Sequence, residues 1–423
     1  MKIDLLAPES YVKGEPIDQL VHLQQTEPVS FQPEPGDGPG FWAVTKYDDV
    51  KRVNSTPRLF SSFPTTIVNS ATSLGDNENY WMLIFSDPPH QTMHRRFLGK
   101  ELMPGSVRTM HESIDEIVDL ILDEVIESGE CDIVGDLAGK LAAWVTADLM
   151  GLPRTDMVSM YHLADRAINA ASMTEGDGYE ASMEILAYAQ KVWEDRKANP
   201  KDDLVTRMVN GEVDGRKTDF QQFFLDFYII FNAAGDTTRN VVGGGMDILF
   251  QYPGQLAALR ADTSLVPGAT EELLRWVSPI LYQRRTALED TEVGGKQIKK
   301  GDKLASFFAA ANRDPDVFDS PLELNIHRNP NHHLAFGFGP HLCLGMHLAR
   351  LELNKMFREL MTRMPDIEPS GPTKWTFHDG PPASAPIVVG PHSIPARFTP
   401  GPRNRPPQDP NGGVRSLFAE KAG

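Results

Sequence analysis

Cys343 lies in a glycine-rich loop that reads FGFGPHLCLG from Phe336 to Gly345. A cysteine that binds iron must be deprotonated, and both a ferric ion and the N-terminus of a following helix favour the thiolate. Backbone N–H groups must also approach the sulfur, and Gly337 and Gly339 allow the tight, uncrowded loop that this requires. Phe336 can shield the sulfur from water. The segment is therefore suited to holding an iron ion through Cys343.

Two other interpretations of this loop remain open from the residues alone. It could be an ordinary glycine-rich turn in which Cys343 is a small buried apolar residue. It could also be part of a zinc site, although structural zinc sites use paired ligands such as C-x₂-C and the chain has only two cysteines. The coincidence of five fixed positions, F-G-x-G-x-x-x-C-x-G, favours iron. The histidines around the loop are His327, His332, His333, His341 and His347.

A second unusual segment, AAGDTT at 233–238, falls inside a long apolar run. An acid, two hydroxyls and a glycine are poor choices for the interior of a buried helix. Splitting dioxygen requires two protons delivered into a dry pocket. Thr237 can hydrogen-bond dioxygen, Asp236 can relay protons from solvent, and a local distortion near Gly235 would make room for dioxygen and a water. The alternative is a kinked helix without a chemical role.

Together these two segments resemble the cytochrome P-450 family, and the similarity extends over nearly all of residues 40–398. The resemblance implies a mainly α, single-domain fold with small β-sheets, a triangular α-rich prism that holds haem b between the long oxygen-side helix and the cysteine-loop helix. It implies that Cys343 ligates the iron and that Asp236 and Thr237 are catalytic. The further haem contacts that it implies are Phe336, Gly337, Gly345 and Ala233.

The carboxylates of a haem need cationic or hydrogen-bonding partners, and the resemblance supplies three. Arg285 matches the family arginine on the strand that follows an E-x-x-R helix, and His341 stands two residues before the cysteine. Arg95 matches the family arginine of the helix that follows Asp87. The family pattern has a histidine four residues after that aspartate, where this chain has Gln91. A histidine contact to haem from 90–95 stays open.

The E-x-x-R pair itself is Glu272 and Arg275, and Arg328 stands where the family has the third member of a buried network. At a spacing of i, i+3 the two charges share one face of a helix. Such pairs are common on protein surfaces and contribute little there. The role implied here is structural.

Apolar or small side chains suited to a hydrophobic substrate occur near these motifs. Ordinary core packing would explain any one of them equally well. The candidate pocket residues are Ile229, Ala233, Thr237, Ile280 and Leu281. The residues Thr238-Arg239-Asn240 resemble bacterial members that oxidise sterol side chains, terpenoids or alkanes, so we expect a steroid, terpenoid or fatty-chain substrate.

The elements that must position these residues follow from periodicity. Helical spacing predicts helices over 111–129, 219–250 and 344–364, and Thr218 with Gln221 fits a capping box before the second. Alternation and Gly-Gly turns predict short strands within 285–307. We expect residues 1–39 to form a surface segment, 40–398 the haem-binding domain and 399–423 a disordered tail.

Composition narrows the class of protein. The chain of 423 residues has a net charge of -17 and no basic stripe, which argues against nucleic-acid binding. We expect no membrane anchor, because no run of 18 apolar residues occurs. The absence of a signal sequence and the two cysteines predict a cytoplasmic location. Without a fused reductase, the electrons must come from a ferredoxin and its reductase, for which Arg95, Arg96 and Lys100 offer a basic docking face.

The leading functional hypothesis is a monooxygenase that inserts one atom of dioxygen into a C–H bond of a hydrophobic molecule. Desaturation, phenol coupling and peroxide-driven oxidation would use the same haem. The Asp236–Thr237 pair argues against the peroxide-driven case. A haem-binding protein without catalytic activity, either a sensor or a carrier, is the remaining alternative.

Overall fold

The computed structural model describes residues 3–34, 38–68, 80, 82–169, 176–376, 386–413 and 416–418. Helices dominate this part of the chain. They are α1 (Ile17–Thr26), α2 (Tyr47–Ser55), α3 (His90–Leu98), α4 (Pro104–Arg108), α5 (His111–Val125), α6 (Gly139–Met150), α7 (Arg154–Asn169), α8 (Gly176–Ala198), α9 (Leu204–Asn210), α10 (Phe220–Gln251), α11 (Pro253–Ala261), α12 (Val266–Val277), α13 (Phe308–Ala311) and α14 (Met346–Arg363).

The strands are short and form small sheets. They are β1 (Val29–Gln32), β2 (Phe41–Val44), β3 (Phe60–Ser61), β4 (Glu130–Asp132), β5 (Glu212–Val213), β6 (Arg216–Lys217), β7 (Tyr282–Ala287), β8 (Thr291–Val293), β9 (Lys296–Ile298), β10 (Lys303–Phe307), β11 (Glu368–Pro369), β12 (Lys374–Trp375), β13 (Pro391–Ser393) and β14 (Pro395–Arg397). The largest sheet has five strands in the order β1-β2-β10-β7-β3. This confirms the predicted mainly α fold with small sheets and the strands expected within 285–307.

The long helix α10 is the axis of the molecule and packs against α6, α8, α12 and α14. Its start differs from the predicted capping box, because Asp219 is the N-cap. The Asp219 carboxylate accepts a hydrogen bond of 3.0 Å from the Gln222 N–H. An aspartate at the N-cap satisfies an otherwise unpaired helix N–H and interacts well with the helix dipole.

The main hydrophobic core surrounds α10 and includes the apolar face of α5 that the sequence predicts, with Ile114, Ile117, Val118 and Ile121 fully buried. Cys131 belongs to this core, as expected. Two smaller clusters pack against the five-stranded sheet. In the described part of the chain, no helix is both long and apolar enough to cross a lipid bilayer.

The N-terminal segment is part of the body, not a surface wrap. Leu5, Tyr11 and Leu20 are buried in one of the smaller clusters. Strand β1 pairs with β2 in antiparallel register, so the predicted boundary at residue 39 divides one sheet.

The described residues after 398 are ordered against helices, contrary to the expected disordered tail. The Arg405 N–H donates to Asp123 on α5 at 2.7 Å, and the Leu417 N–H donates to Asp156 on α7 at 2.7 Å. The ring of Phe418 stacks on that of Tyr188 on α8, with 4.6 Å between ring centroids. The segment thus packs against three helices that lie far earlier in the chain.

Candidate functional site

The loop that carries Cys343 is shaped by glycines at positive φ. Gly337 and Gly339 have φ of 73° and 75°, a region that side chains disfavour. A Cβ at Gly339 would also stand 2.4 Å from the carbonyl oxygen of Asn54, at the end of α2. The Cys343 N–H donates to the Phe336 carbonyl at 2.8 Å, which closes the loop just before α14 begins.

The environment of the Cys343 sulfur combines burial with groups that favour an anion. Burial raises the pKa of the thiol. The Gly345 N–H, which donates to the sulfur, and the guanidinium groups of Arg95 and Arg350 act in the opposite direction and lower it. Gly345 is also the N-cap of α14. The predicted arrangement of a cysteine at a helix N-terminus, with a backbone donor to sulfur, is therefore present.

One stripe of α10 keeps accessible surface although the helix runs through the core. Ile229, Ala233 and Thr237 are spaced by four residues and are half-buried or, for Ala233, exposed, whereas Phe231 and Gly235 on other faces are buried. Residues 336–347 of the cysteine loop also keep accessible surface throughout. Helix α10 packs against α14, the helix that follows the cysteine loop.

The acid–threonine pair is built into regular α-helix. The Thr237 hydroxyl donates to the Ala233 carbonyl at 2.9 Å, which orients the side chain along the accessible stripe. Asp236 forms an ion pair of 2.9 Å with Arg239, and its side chain remains partly accessible. The two residues therefore present a hydroxyl inside the fold and a carboxylate with a route toward solvent.

Arg285 is one of the three predicted partners of the haem carboxylates. Arg285 is buried and lies near Asp87. The Arg285 guanidinium donates one hydrogen bond to another described residue, from Nη1 to the Arg284 carbonyl at 2.8 Å. Burial lowers the pKa of Arg285 to about 10, so the group is still a cation at neutral pH. A buried guanidinium with so few protein partners calls for an anionic ligand.

His341 is a neutral ring that also hydrogen-bonds the backbone of Ser86. Burial and the nearby Arg285 lower the pKa of His341 to about 3, so the ring is neutral at physiological pH. Its Nε2 lies 3.0 Å from the Ser62 hydroxyl, a partner that the sequence analysis missed. For Arg95, burial lowers the pKa, while Cys343 has the opposite effect. Arg95, Arg285 and His341 interact electrostatically with one another or with Cys343, so the structure brings the predicted donors into one region.

This donor set fits a haem. A soft sulfur with a backbone N–H donor suits iron, and two guanidinium groups with a neutral imidazole suit the two carboxylates of the macrocycle. The exposed methyl of Ala233, on the accessible stripe of α10, supplies an apolar surface suited to a flat ring. At Gly345 a Cβ would point into open space, which leaves the approach to the sulfur clear.

A comparison with protein families settles the class: the cytochrome P450 family model matches residues 38–365. The chain belongs to the cytochrome P450 family. It is 32% identical over 380 residues to a steroid C26-monooxygenase of Rhodococcus jostii, covering 87% of this chain and 80% of the relative. It is 35% identical over 361 residues to a methyl-branched lipid omega-hydroxylase of Mycobacterium tuberculosis, covering 82% and 84%.

Among solved structures, the fold is similar to that of a Mycobacterium marinum cytochrome P450 in complex with pseudoionone. The TM-score is 0.83 at 32% identity, and the match covers 93% of this chain and 97% of the other. The protein is a bacterial cytochrome P450 monooxygenase that acts on a hydrophobic substrate with dioxygen and an electron-donating partner. Haem is the cofactor that the family implies.

In this cytochrome P450 the role of Gly235 differs from the expectation. The helix shows no break at this position, and Gly235 faces the ring of Tyr161 on α7, not a space for dioxygen. A Cβ at Gly235 would lie 2.2 Å from Cε1 of that ring. Tyr161 in turn stacks on Phe231 with 5.0 Å between centroids and bonds through its hydroxyl to Thr146 at 2.9 Å. Gly235 therefore permits close packing of two helices.

The structure also accounts for the departure at Gln91. The Gln91 amide is buried and donates to the Pro340 carbonyl at 2.6 Å, so it supports the cysteine loop from α3. His94 is buried and lies 3.2 Å from Asp226 on α10, where Gln222 is also within hydrogen-bonding distance. His94 is thus engaged with α10.

The E-x-x-R network is present and buried. Glu272 accepts two hydrogen bonds of 2.8 Å from Arg275 and one of 3.0 Å from Arg328, and both Glu272 and Arg275 are fully inaccessible. Two further donors reach the same carboxylate, the Asn325 N–H at 2.9 Å and the Asn331 amide at 3.1 Å. The carboxylate therefore fixes the chain leading to the cysteine loop.

The candidate pocket residues separate into two groups. Ile229, Ala233, Thr237 and Ile280 keep accessible surface, as pocket residues should. Leu281 is fully buried in the second hydrophobic cluster, where alternation along the chain turns it away from the side that Ile280 presents. The placement of Leu281 in the pocket is therefore not supported.

Proposed function

We propose that Cys343 is the thiolate ligand of a haem b and that this cytochrome P450 hydroxylates the terminal carbon of a methyl-branched apolar chain. The observation that carries the first part is the Cys343 sulfur at the start of α14, with the Gly345 N–H donating to it and Arg95 and Arg350 nearby. Arg285, Arg95 and His341 would hold the haem carboxylates, while Phe336, Gly337, Gly345 and Ala233 would contact the ring.

In this proposal the haem, when bound, supplies the activation of dioxygen, and the protein supplies protons and a dry pocket. The Thr237 hydroxyl, oriented by its bond to the Ala233 carbonyl, keeps lone pairs that can accept a hydrogen bond from a proton-carrying water. Asp236 passes protons inward from its partly accessible position beside Arg239. One oxygen atom enters the substrate C–H bond, and the other takes up two electrons and two protons and leaves as water.

The substrate class rests on the relatives and on the pocket surface. The names of two relatives, a steroid C26-monooxygenase and a methyl-branched lipid omega-hydroxylase, have in common an oxidation near the end of a branched apolar chain. Ile229 and Ala233, at helical spacing from Thr237 on α10, and Ile280 after α12 keep accessible aliphatic surface, which suits such a chain. Steroids, terpenoids and branched fatty chains are the molecules to screen.

The deciding experiment is the absorption spectrum of the dithionite-reduced protein under carbon monoxide. A Soret band strongly red-shifted from that of histidine-ligated haem is expected, and Cys343→His should abolish the shift while Cys131→Ser should not. A band typical of histidine ligation in the parent protein would refute the assignment of Cys343. Spin-state titrations with sterols, terpenoids and branched fatty acids would then identify the substrate.

For the electron donor we propose a small acidic ferredoxin served by its reductase. Thr92 and Arg96 on α3 and Lys100 in the turn that follows it are exposed. Arg58 and Arg96 line one open groove of about 800 Å³. A basic surface on a protein of net charge -17 would steer an acidic partner. Arg96→Glu with Lys100→Glu should slow reduction at low salt, and an unchanged, salt-independent rate would exclude this face.

A further inference from the structure

One carboxylate, Glu271 of α12, holds two residues that both contact the ring of Phe336. Arg350 on α14 donates to Glu271 from Nε at 2.7 Å and from Nη2 at 2.8 Å. His333 lies with Nε2 3.0 Å from the same carboxylate. The Arg350 guanidinium stands 4.5 Å from the centroid of Phe336, and the His333 ring centroid is 5.9 Å from it.

The hydrogen bonds fix the charges in this cluster, which we call the Glu271 clamp and define as Glu271, Arg350, His333 and Phe336. His333 Nδ1 accepts the Ala335 N–H at 3.2 Å, so the ring proton is on Nε2 and is donated to Glu271. Burial would raise the pKa of Glu271, but the bonds from Arg350 and His333 lower it to about 2. The clamp therefore contains one anion and one cation at physiological pH.

The clamp adjoins the cysteine loop through Phe336. The Phe336 carbonyl accepts the Cys343 N–H at 2.8 Å, and the Arg350 guanidinium lies 4.5 Å from the centroid of the Phe336 ring. The charge of Arg350 also opposes, in part, the effect of burial on the pKa of the Cys343 thiol. Neighbouring Glu272 points into the buried E-x-x-R network instead, so two consecutive acids of α12 perform separate tasks. Of the two, only Glu271 has a partner that acts on the sulfur.

We propose that Glu271 and Arg350 are positioning residues that set the reduction potential of the haem iron through the electrostatic field at the Cys343 sulfur. Arg350 supplies a positive field at the sulfur across the ring of Phe336. Glu271 holds Arg350 in this position and offsets part of its charge. The inference rests on Cys343 being the iron ligand, as proposed above.

The two charges act on the potential with opposite signs. The ferrous thiolate carries one more negative charge than the ferric form, so a positive charge nearby favours reduction and a negative charge opposes it. Glu271→Gln leaves Arg350 without its counter-charge and should raise the potential. Arg350→Gln leaves Glu271 without its counter-charge and should lower it. The double variant removes both charges and should return close to the parent.

The measurement is a spectroelectrochemical titration of the purified haem protein, followed at the Soret band. At one fixed poise, the ratio of ferrous to ferric protein should rise several-fold in Glu271→Gln and fall several-fold in Arg350→Gln. Arg350→Lys keeps the charge and should largely restore the parent ratio. Glu368→Gln, which removes the acid of an exposed ion pair with Arg397, is the matched control and should leave the ratio unchanged.

The carbon monoxide spectrum separates the two proposals. If the parent lacks the red-shifted band, the assignment of Cys343 has failed and with it the basis of the clamp. If the band is present and both single variants shift the ratio in the same direction, or neither shifts it, the clamp is a packing feature and the inference is overturned. Opposite shifts that cancel in the double variant would establish it.

Discussion

Gly235 lies against the ring of Tyr161 so closely that a single added methyl group would stand 2.2 Å from it. Gly235→Ala should therefore force α7 and α10 apart and destabilise the protein by about 1–3 kcal/mol, the usual cost of overpacking. Thermal unfolding of the haem protein measures this loss of stability. Gly254→Ala on α11 is the control, since a Cβ there meets nothing within 4 Å. Relief of the defect by adding Tyr161→Leu would identify the ring as the cause, whereas equal effects of the two glycine variants would contradict the packing argument.

Thr237→Ala should separate oxygen consumption from product formation. The variant keeps the apolar surface of the pocket, so the spin shift with substrate should be retained, but the oriented hydroxyl is lost. Product per NADH consumed should fall strongly and peroxide should rise, since a positioned acid–base group contributes about 10²–10⁴-fold to a rate. Thr362→Ala is the control, because Thr362 makes the same bond to a carbonyl four residues earlier, at 2.8 Å, on an exposed face of α14. Full coupling in Thr237→Ala would remove the proposed role.

Glu272→Ala should be severely destabilising. Removal of the carboxylate leaves the guanidinium of Arg275 buried without its counter-charge, and breaking such a buried pair costs about 3–5 kcal/mol. Denaturant unfolding and the yield of haem-loaded protein report the loss. Glu368→Ala, in an exposed pair, should cost less than about 1 kcal/mol. If the Glu272 variant were as stable as the parent protein, the network would not stabilise the fold.

The pH dependence of stability should include a contribution from Glu352 on α14. Burial raises the pKa of this carboxyl to about 8, against the effect of its hydrogen bond with Thr238, while in the unfolded chain it ionises near 4.5. The folded state thus holds one more proton between these values, and Glu352 lowers stability as pH rises through this window. Glu352→Gln keeps the neutral shape and removes this slope. Urea unfolding at pH 6 and pH 9 should show the variant gaining on the parent at the higher pH. If the parent and the variant lost the same stability between pH 6 and pH 9, the pH dependence would come from other groups.

The features predicted correctly from the sequence are those that local spacing determines. The cysteine loop needs glycines at positive φ and a helix start within ten residues, and the order of Phe336, Gly337, Cys343 and Gly345 contains both requirements. The helices near 111, 219 and 344 follow from periodicity in the same way. The residues to which we assign the chemistry of each segment are neighbours in sequence, so local spacing is enough to single them out.

The features that were missed depend on partners distant in sequence. Tyr161 lies 74 positions before Gly235, and nothing in the AAGDTT segment indicates that a ring covers the glycine. The bond from Gln91 to the Pro340 carbonyl, which supports the loop from α3, likewise spans 249 positions. Asp219 replaced Thr218 as the cap because both are good capping residues and only the backbone geometry decides between them. At Gly235 and Gln91 a tertiary contact determined the role of a residue whose type was compatible with several, whereas at Asp219 the local backbone geometry decided it.

The docking of residues 404–413 and 416–418 on three helices extends the packed structure beyond the last strand, β14. Asp123 and Asp156 are buried carboxylates that receive backbone N–H groups from this segment, and Arg363 is the only side-chain cation among the described residues that pairs with Asp123. A fragment ending at residue 398, where the recognisable motifs stop, would expose these acids and the face of Tyr188. We therefore expect a stable fragment to extend past the last strand, β14, as far as Phe418, because a shorter one would leave these carboxylates without their backbone donors.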